Sequence, residues 1–189
     1  MEPSDEELMA RLAGGEEQTL ALLMRRWEAP LSRYVRRRCY TCGPDTDDIL
    51  QEAFLQVYRH VHAFDPALRF SSWIYRIVHN AMVSRIRRHA RTSGHEPLDE
   101  EALMVPQGLS ADAELSARQL DSQVREILDS LSEVLRETFV LRFLEEKSYE
   151  EIGDILHLNA NTVATRIRRA RTEFVEKARK RGLFLEGGE

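Results

Sequence analysis

The chain has 189 residues, 42% of them apolar and 31% charged, and a formal net charge of −5. That length suits one ordinary domain or two small ones, and no apolar run approaches the roughly 18 residues of a membrane span, so membrane insertion is not expected. The acidic opening Met1-Glu2-Pro3-Ser4-Asp5-Glu6-Glu7 lacks the basic start of a signal peptide, and a cytosolic protein is expected.

Helix is predicted throughout. Ser4 with Glu7 three residues on fits a capping box, and this first short helix should stop at Gly14-Gly15. From Glu16 to Trp27, Leu20, Leu23, Met24 and Trp27 recur at helical spacing. Pro30 is predicted to open a further helix carrying Arg33, Arg36, Arg37 and Arg38, ending before Gly43-Pro44. Asp45 can cap a longer helix to about Ala63, with Ile49, Phe54, Val57, Tyr58 and Val61 on one stripe. Phe64-Asp65-Pro66 breaks the chain. A basic helix then runs from Phe70 to about Ala90, with Trp73, Ile77, Asn80, Ala81 and Ser84 on one side. A polar Asn in that stripe needs a reason.

Thr92 to about Ser110 contains Gly94, Pro97, Pro106 and Gly108 and reads as a linker, with helix resuming near Asp112. Leu120, Val124, Ile127, Leu128 and Leu131 define the next helix, and Leu135, Phe139, Val140 and Phe143 another. Ser148 then heads Tyr149 to Leu156, and Asn159 or Asn161 caps a last helix. Cys39 and Cys42 form a lone C-x-x-C. Zinc needs about four ligands, and His60 and His62 are the only histidines near in sequence, so two reduced thiols are the simpler reading, with a redox or zinc role left open.

The acidic net charge hides a pattern. Arg69, Arg76, Arg85, Arg87, Arg88 and Arg91 have no acid among them. Glu96, Asp99, Glu100, Glu101, Asp112 and Glu114 follow with no base. A second basic run then includes Arg166, Arg168, Arg169, Arg171 and Lys177. Two basic segments around an acidic one suggest two polyanion-binding modules on a charged connector.

Ser148 to Arg171 has the form of a helix-turn-helix. Val163, Ile167, Ala170 and Phe174 make the core stripe of the second helix. The opposite face carries Asn161, Thr165, Arg168, Arg169 and Thr172, the face such proteins set in the major groove. Arginine can grip guanine edges bidentately. Phe70-x-x-Trp73-x-Tyr75-Arg76-x-x-x-Asn80 suits single-stranded DNA, because bases stack on rings while cations hold phosphates.

Asp48-Ile49-Leu50-Gln51-Glu52-Ala53-Phe54 resembles the D-x-x-Q-E-x-F signature of sigma region 2.2, and Phe70 to Asn80 resembles regions 2.3 and 2.4. Leu131 to Phe143 is similar to the entry to region 4, while Ser148 to Ile152 and Thr162 to Arg171 are similar to region 4.2. In order and separation the set resembles the group 4, extracytoplasmic-function sigma factors of bacteria.

The resemblance implies an all-α fold of two small helical domains joined by a flexible acidic linker: region 2 over 1–91, linker over 92–117 and region 4 over 118–189. It implies a transcription initiation factor that binds bacterial core RNA polymerase and is not an enzyme, with no cofactor or metal expected. By position, Asp48, Gln51, Glu52 and Phe54 would contact the polymerase clamp. Arg69, Trp73, Tyr75, Arg76, Asn80 and Arg87 would engage the separated strand of the −10 promoter element. Asn161, Thr162, Thr165, Arg166, Arg168 and Arg169 would read the −35 element as duplex. An anti-sigma factor is an implied partner, as is association with the nucleoid through polymerase. Asn161 and Ala164 stand where region 4.2 commonly has Gly and Lys, which alters −35 preference or affinity. Ser132 replaces the usual Pro and is an adequate helix cap. The alternative is a stand-alone helix-turn-helix regulator; an enzyme such as a metal-dependent nuclease lacks a complete ligand set.

Overall fold

A computed structural model describes residues 2–38, 46–92 and 111–183. Expectations for Cys39, Cys42, the cap at Asp45, the linker up to 110 and the tail after 183 lie outside these residues. Among the described residues there are eight α-helices and no strand. The first, α1 (Asp5–Ala13), starts as predicted. The Ser4 hydroxyl accepts from the Glu7 amide at 3.1 Å, and the Glu7 carboxylate accepts from the Ser4 amide at 3.0 Å. Each satisfies a donor the first turn leaves free. Leu8, Met9 and Leu12 turn inward, and the chain leaves the helix through Gly15 at φ +95°.

The next helix, α2 (Gln18–Arg38), departs from the two predicted pieces. Pro30 lies inside it, where it removes one backbone bond and crowds the preceding turn, a cost of about 3 kcal/mol in an isolated helix. Leu23, Leu31, Tyr34 and Val35 are all essentially inaccessible. Keeping them on one stripe requires an unbroken helix, and burying each contributes about 1.5–3 kcal/mol. Tertiary burial therefore overrides the local proline signal.

Helix α3 (Thr46–Arg59) buries Ile49, Leu50, Ala53, Phe54 and Val57, and a single 3₁₀ turn at Val61–Ala63 follows. Helix α4 (Phe70–Thr92) packs across α2 and α3. Its buried side carries Phe70, Trp73, Ile74, Ile77, Val78 and Ala81, while Asn80 and Ser84 are exposed. Asn80 thus sits beside the apolar stripe and not within it. The first amide of α4 is capped from afar: Phe70 N–H donates to Glu6 Oε1 at 3.0 Å. That bond is the main reason the Glu6 carboxyl is held below the usual carboxylate range. A depressed folded value means its stabilisation is complete above the unfolded pKa and disappears as pH falls through the folded one. Glu6→Ala should lower stability by about 1 kcal/mol at neutral pH, with the difference from wild type closing in strong acid. Urea denaturation at several pH values checks this.

Helix α5 (Ala111–Asp129) begins within the expected linker and continues to the predicted core residues, burying Ile127 and Leu128 and leaving Leu120 outside. Arg136 holds its end, donating to the Leu128 and Asp129 carbonyls at 2.9 and 2.7 Å. Ser132 stands at the cap of α6 (Glu133–Phe139), but its hydroxyl makes no capping bond. Its carbonyl instead accepts from the Leu135 and Arg136 amides. The chain then widens into one π turn over Val140–Leu144, where the Glu145 amide donates to Val140 O, five residues back, at 3.0 Å. Helices α7 (Tyr149–Leu156) and α8 (Ala160–Lys180) complete the fold.

The segments predicted as separate modules lie together here. Helix α7 packs on α4. Val140, Leu141, Ile152, Ile155, Val163 and Ile167 join the buried residues of α1–α4 in one apolar cluster. Leu128, Leu131, Leu135, Phe139 and Ala170 form a second, smaller cluster, against which Phe174 packs, its ring stacked on Phe139 at 4.3 Å.

Candidate nucleic-acid interface

The helix-turn-helix is built by local signals. A second capping box starts α7: Ser148 Oγ accepts from the Glu151 amide at 3.2 Å and Glu151 accepts from the Ser148 amide at 2.8 Å. Ile152 and Ile155 are fully buried. The helix ends at His157, which takes the left-handed conformation at φ 54°. Gly153 is needed for the turn that follows, since a Cβ there would stand 2.8 Å from the Leu158 carbonyl oxygen. Of the two predicted caps, Asn159 serves: its Oδ1 accepts from the Thr162 amide at 2.9 Å. That bond starts α8 and sets its rotation.

With Val163, Ile167 and Ala170 inward, the remaining faces of α8 are fixed. Asn161, Thr165, Arg168, Arg169 and Thr172 are exposed, while Thr162 and Arg166 are half-buried. The structure therefore brings all six residues predicted to read duplex together at the N-terminal half of one helix. An open groove of about 600 Å³ flanks them, lined in part by Arg142, Tyr149, Arg168, Arg171 and Arg179. Arg142 was missed in the sequence, and Arg171 entered only as part of the basic run. Their signal was charge alone, and what sets Arg142 in place is its bond to the Lys147 carbonyl at 2.9 Å.

The residues predicted for the separated strand fall into two groups. Arg69, Asn80 and Arg87 are exposed. Trp73 and Tyr75 are only 7% and 2% accessible. Trp73 packs against Phe64 and Phe70, with ring centroids 5.2 and 6.0 Å away. Tyr75 meets Tyr34 at 5.0 Å and donates its hydroxyl hydrogen to Glu145 Oε2 at 2.8 Å. Burial first, and the Glu145 carboxylate second, push its phenol far above the usual range, so it stays neutral. The Lys147 ammonium lies over its ring, 4.2 Å from the centroid. Burial lowers the pKa of that lysine. Arg76 is half-buried and lines a cleft of about 480 Å³ with Tyr149, Gly153, Asp154 and His157 of α7 and its turn.

The four residues predicted to meet the polymerase divide similarly. Asp48 and Gln51 are exposed and Glu52 is half-buried, on a shallow groove of about 190 Å³ shared with Arg85 and Arg88 of α4. Asp48 pairs with Arg85 at 2.6 Å. Phe54, by contrast, is 4% accessible and belongs to the core. Leu55, one residue on and 43% accessible, presents the apolar side chain on that groove. A period-based reading places Phe54 inward correctly but gives no reason to select Leu55. No group of three or more His, Cys, Asp or Glu side chains able to hold a metal occurs among the described residues, nor is any of their helices long and apolar enough to cross a membrane.

The sigma-70 region 2 family matches residues 23–92, and the sigma-70 region 4 family matches residues 121–174. The ECF RNA polymerase sigma-E factor of Haemophilus influenzae is 30% identical over 185 residues, covering 92% of this chain and 94% of that protein. Among solved structures, CnrH in complex with the cytosolic domain of CnrY is similar with a TM-score of 0.69 at 25% identity, covering 92% of this chain and 96% of that one. The sigma factor RpoE of Bartonella quintana, solved with the anti-sigma factor NepR, shares the fold with a TM-score of 0.65 at 21% identity, over 86% and 96% of the two chains. On sequence and fold together, the chain belongs to the ECF RNA polymerase sigma factors.

Proposed function

We propose that this sigma factor directs core RNA polymerase to promoters by reading a −35 element as duplex through α8 and capturing the separated −10 strand on α4. The observation that carries the reading is the exposed row Asn161, Thr165, Arg168 and Arg169 on a helix whose opposite side is locked into the core. A rigid helix with donors on its free face fits the major groove. Around α4, the exposed Arg69, Asn80 and Arg87 and the half-buried Arg76 offer cations and an amide to a separated strand, beside the buried rings of Trp73 and Tyr75. The partly paired groove of Asp48, Gln51 and Glu52, with Leu55 at its edge, suits a protein partner better than DNA, and it is assigned to the polymerase. Melting needs no hydrolysis: strand binding offsets unstacking and shifts the population of open DNA.

The working modules in this reading are residues 1–91 and 118–189, connected by the acidic 92–117. An anti-sigma factor belongs to the same reading, supported by the complex in which the structurally similar Bartonella quintana sigma factor is found.

Transcription with purified chain and sigma-free core polymerase on a promoter library tests the proposal. Discrete transcripts should appear, and Arg168→Ala should reduce their yield roughly 5- to 150-fold if one bidentate base contact is lost. A core enzyme that stays silent while the chain alone shifts duplex DNA would instead identify a stand-alone regulator.

A further inference from the structure

Arg69 stands directly before α4, and its side chain is 78% accessible. An exposed arginine has wide rotamer freedom, so the region it can reach is decided by the backbone that carries it. The turn leading to it is held at several points. Phe64 is buried against the Phe70 and Trp73 rings, with centroids 6.0 and 5.2 Å away. Asp65 closes the tip: its Oδ1 accepts from the Ala67 amide and its carbonyl from the Leu68 amide, both at 2.9 Å.

The peptide joining Arg69 to Phe70 is gripped at both of its polar ends. The Arg69 carbonyl accepts from the Trp73 amide at 3.3 Å, and the Phe70 amide donates to Glu6 Oε1 at 3.0 Å. An arginine at the position before a helix has no side-chain oxygen with which to cap it, so the acceptor comes from another helix. Glu6 is half-buried, and α1 is firmly seated around it. Leu8 and Met9 are inaccessible, and the adjacent Asp5 accepts from the Arg26 guanidinium and the Trp27 indole. The Phe70 amide does most to hold the Glu6 carboxyl below the ordinary carboxylate range; burial opposes this, and the charge of Arg69 adds to it. The acid of α1 therefore lies close to the arginine as well as bonded to the amide behind it.

We propose that Glu6 is a positioning residue for strand capture: by holding the Phe70 amide it fixes the peptide that aims Arg69 at the separated −10 strand. The inference rests on the reading of Arg69 as a strand contact. Helix α1 touches no nucleic acid in this role. It acts through the backbone before α4, and a contact residue held in place beforehand loses less freedom on binding.

The test uses the full chain assembled with core polymerase. Its ligand is a fluorescein-labelled fork DNA, duplex upstream and single-stranded through the −10 segment of the non-template strand, copied from a promoter the holoenzyme uses. Glu6→Ala should weaken binding about fivefold, the equivalent of one lost cap. Arg69→Ala should weaken it at least as much, and the double variant should bind no more weakly than Arg69→Ala alone. Glu6→Gln, whose amide oxygen can still accept from Phe70, should recover most of the loss. Ile127→Val, a buried substitution in the second module of comparable stability cost, should bind like wild type. Wild-type binding by Glu6→Ala beside a weakened Arg69→Ala would overturn the positioning role alone, as would additive losses in the double variant. An equal loss in Ile127→Val would reduce Glu6 to a general stabiliser and overturn it too. Undiminished binding by Arg69→Ala would remove the reading of Arg69 as a strand contact, and this inference with it.

Discussion

Phe70→Ala is expected to lower unfolding stability by about 3–5 kcal/mol, the range for deleting a fully buried ring that its surroundings cannot fill. Phe70 is completely inaccessible and stands at the crossing of three other aromatics. Its ring meets Trp27 edge-on at 5.9 Å, Phe64 at 6.0 Å and Trp73 at 6.0 Å. Those edge and tilted contacts contribute beyond area alone, about 0.5–1.5 kcal/mol for a pair. Its own amide is the one capped by Glu6, so the cavity would open at the point where α1 and α4 are joined. Phe70→Leu, which keeps most of the volume, should cost far less. Equilibrium urea denaturation of the three proteins measures both values. An alanine variant as stable as wild type would mean that this crossing is not the centre of the core.

The second large effect is expected at Gly153. A methyl group there would sit 2.8 Å from the Leu158 carbonyl oxygen, well inside contact distance. The obstructing atom is backbone, not the flexible end of a side chain, so the turn itself must move. That turn is already specified by the left-handed His157 and by the Leu158 amide donating to Gly153 O at 2.9 Å. Overpacking of this kind costs about 1–3 kcal/mol. Gly153→Ala should therefore lower the melting temperature and also weaken duplex binding, because α8 is aimed by this turn. Asp154→Ala, next in sequence but exposed, should change stability by no more than about 0.5 kcal/mol. Thermal denaturation alongside duplex titration checks both. Equal effects at the two positions would sink the assignment of Gly153 as the point of close approach.

Much of the fold was readable because its signals are local. Ser4 with Glu7 and Ser148 with Glu151 satisfy helix-start donors three residues away, a relation visible in any sequence. The stripe Val163, Ile167, Ala170 orients α8 by period alone, and with it the face proposed to read duplex. What could not be read depends on residues far apart. Pro30 looks like a helix start until Leu23 and Leu31 are known to share one core. Glu6 caps a helix whose first residue is 64 positions later, and Arg37 meets an acid 108 positions away. Neither pairing leaves a period or a motif. The same limit explains the candidate sites. Trp73 and Tyr75 were identified by residue type, yet Trp73 is covered by the neighbouring Phe64 and Phe70, and Tyr75 by Tyr34 and by Glu145 and Lys147 from the far half of the chain, which leave no sequence mark beside it. Phe54 was selected by its place in a motif, and only the packing shows that its neighbour Leu55 faces outward.

The π turn at Val140–Leu144 gives the second module an unusual tolerance and an unusual vulnerability. Such a turn accommodates one residue more than an α-helix would. Losing a single residue there would let the segment relax to ordinary α-helical winding with little change of phase, because the wide turn takes up its extra residue locally. The helix-turn-helix would survive as a unit, since its own caps and core lie downstream. Only the loss of a second residue, now from regular helix, would turn Glu145 and Lys147 away from Tyr75, by about 100°. Length variation in these five residues is thus absorbed once by the wide turn, and only beyond that does it become a change of phase between two intact halves.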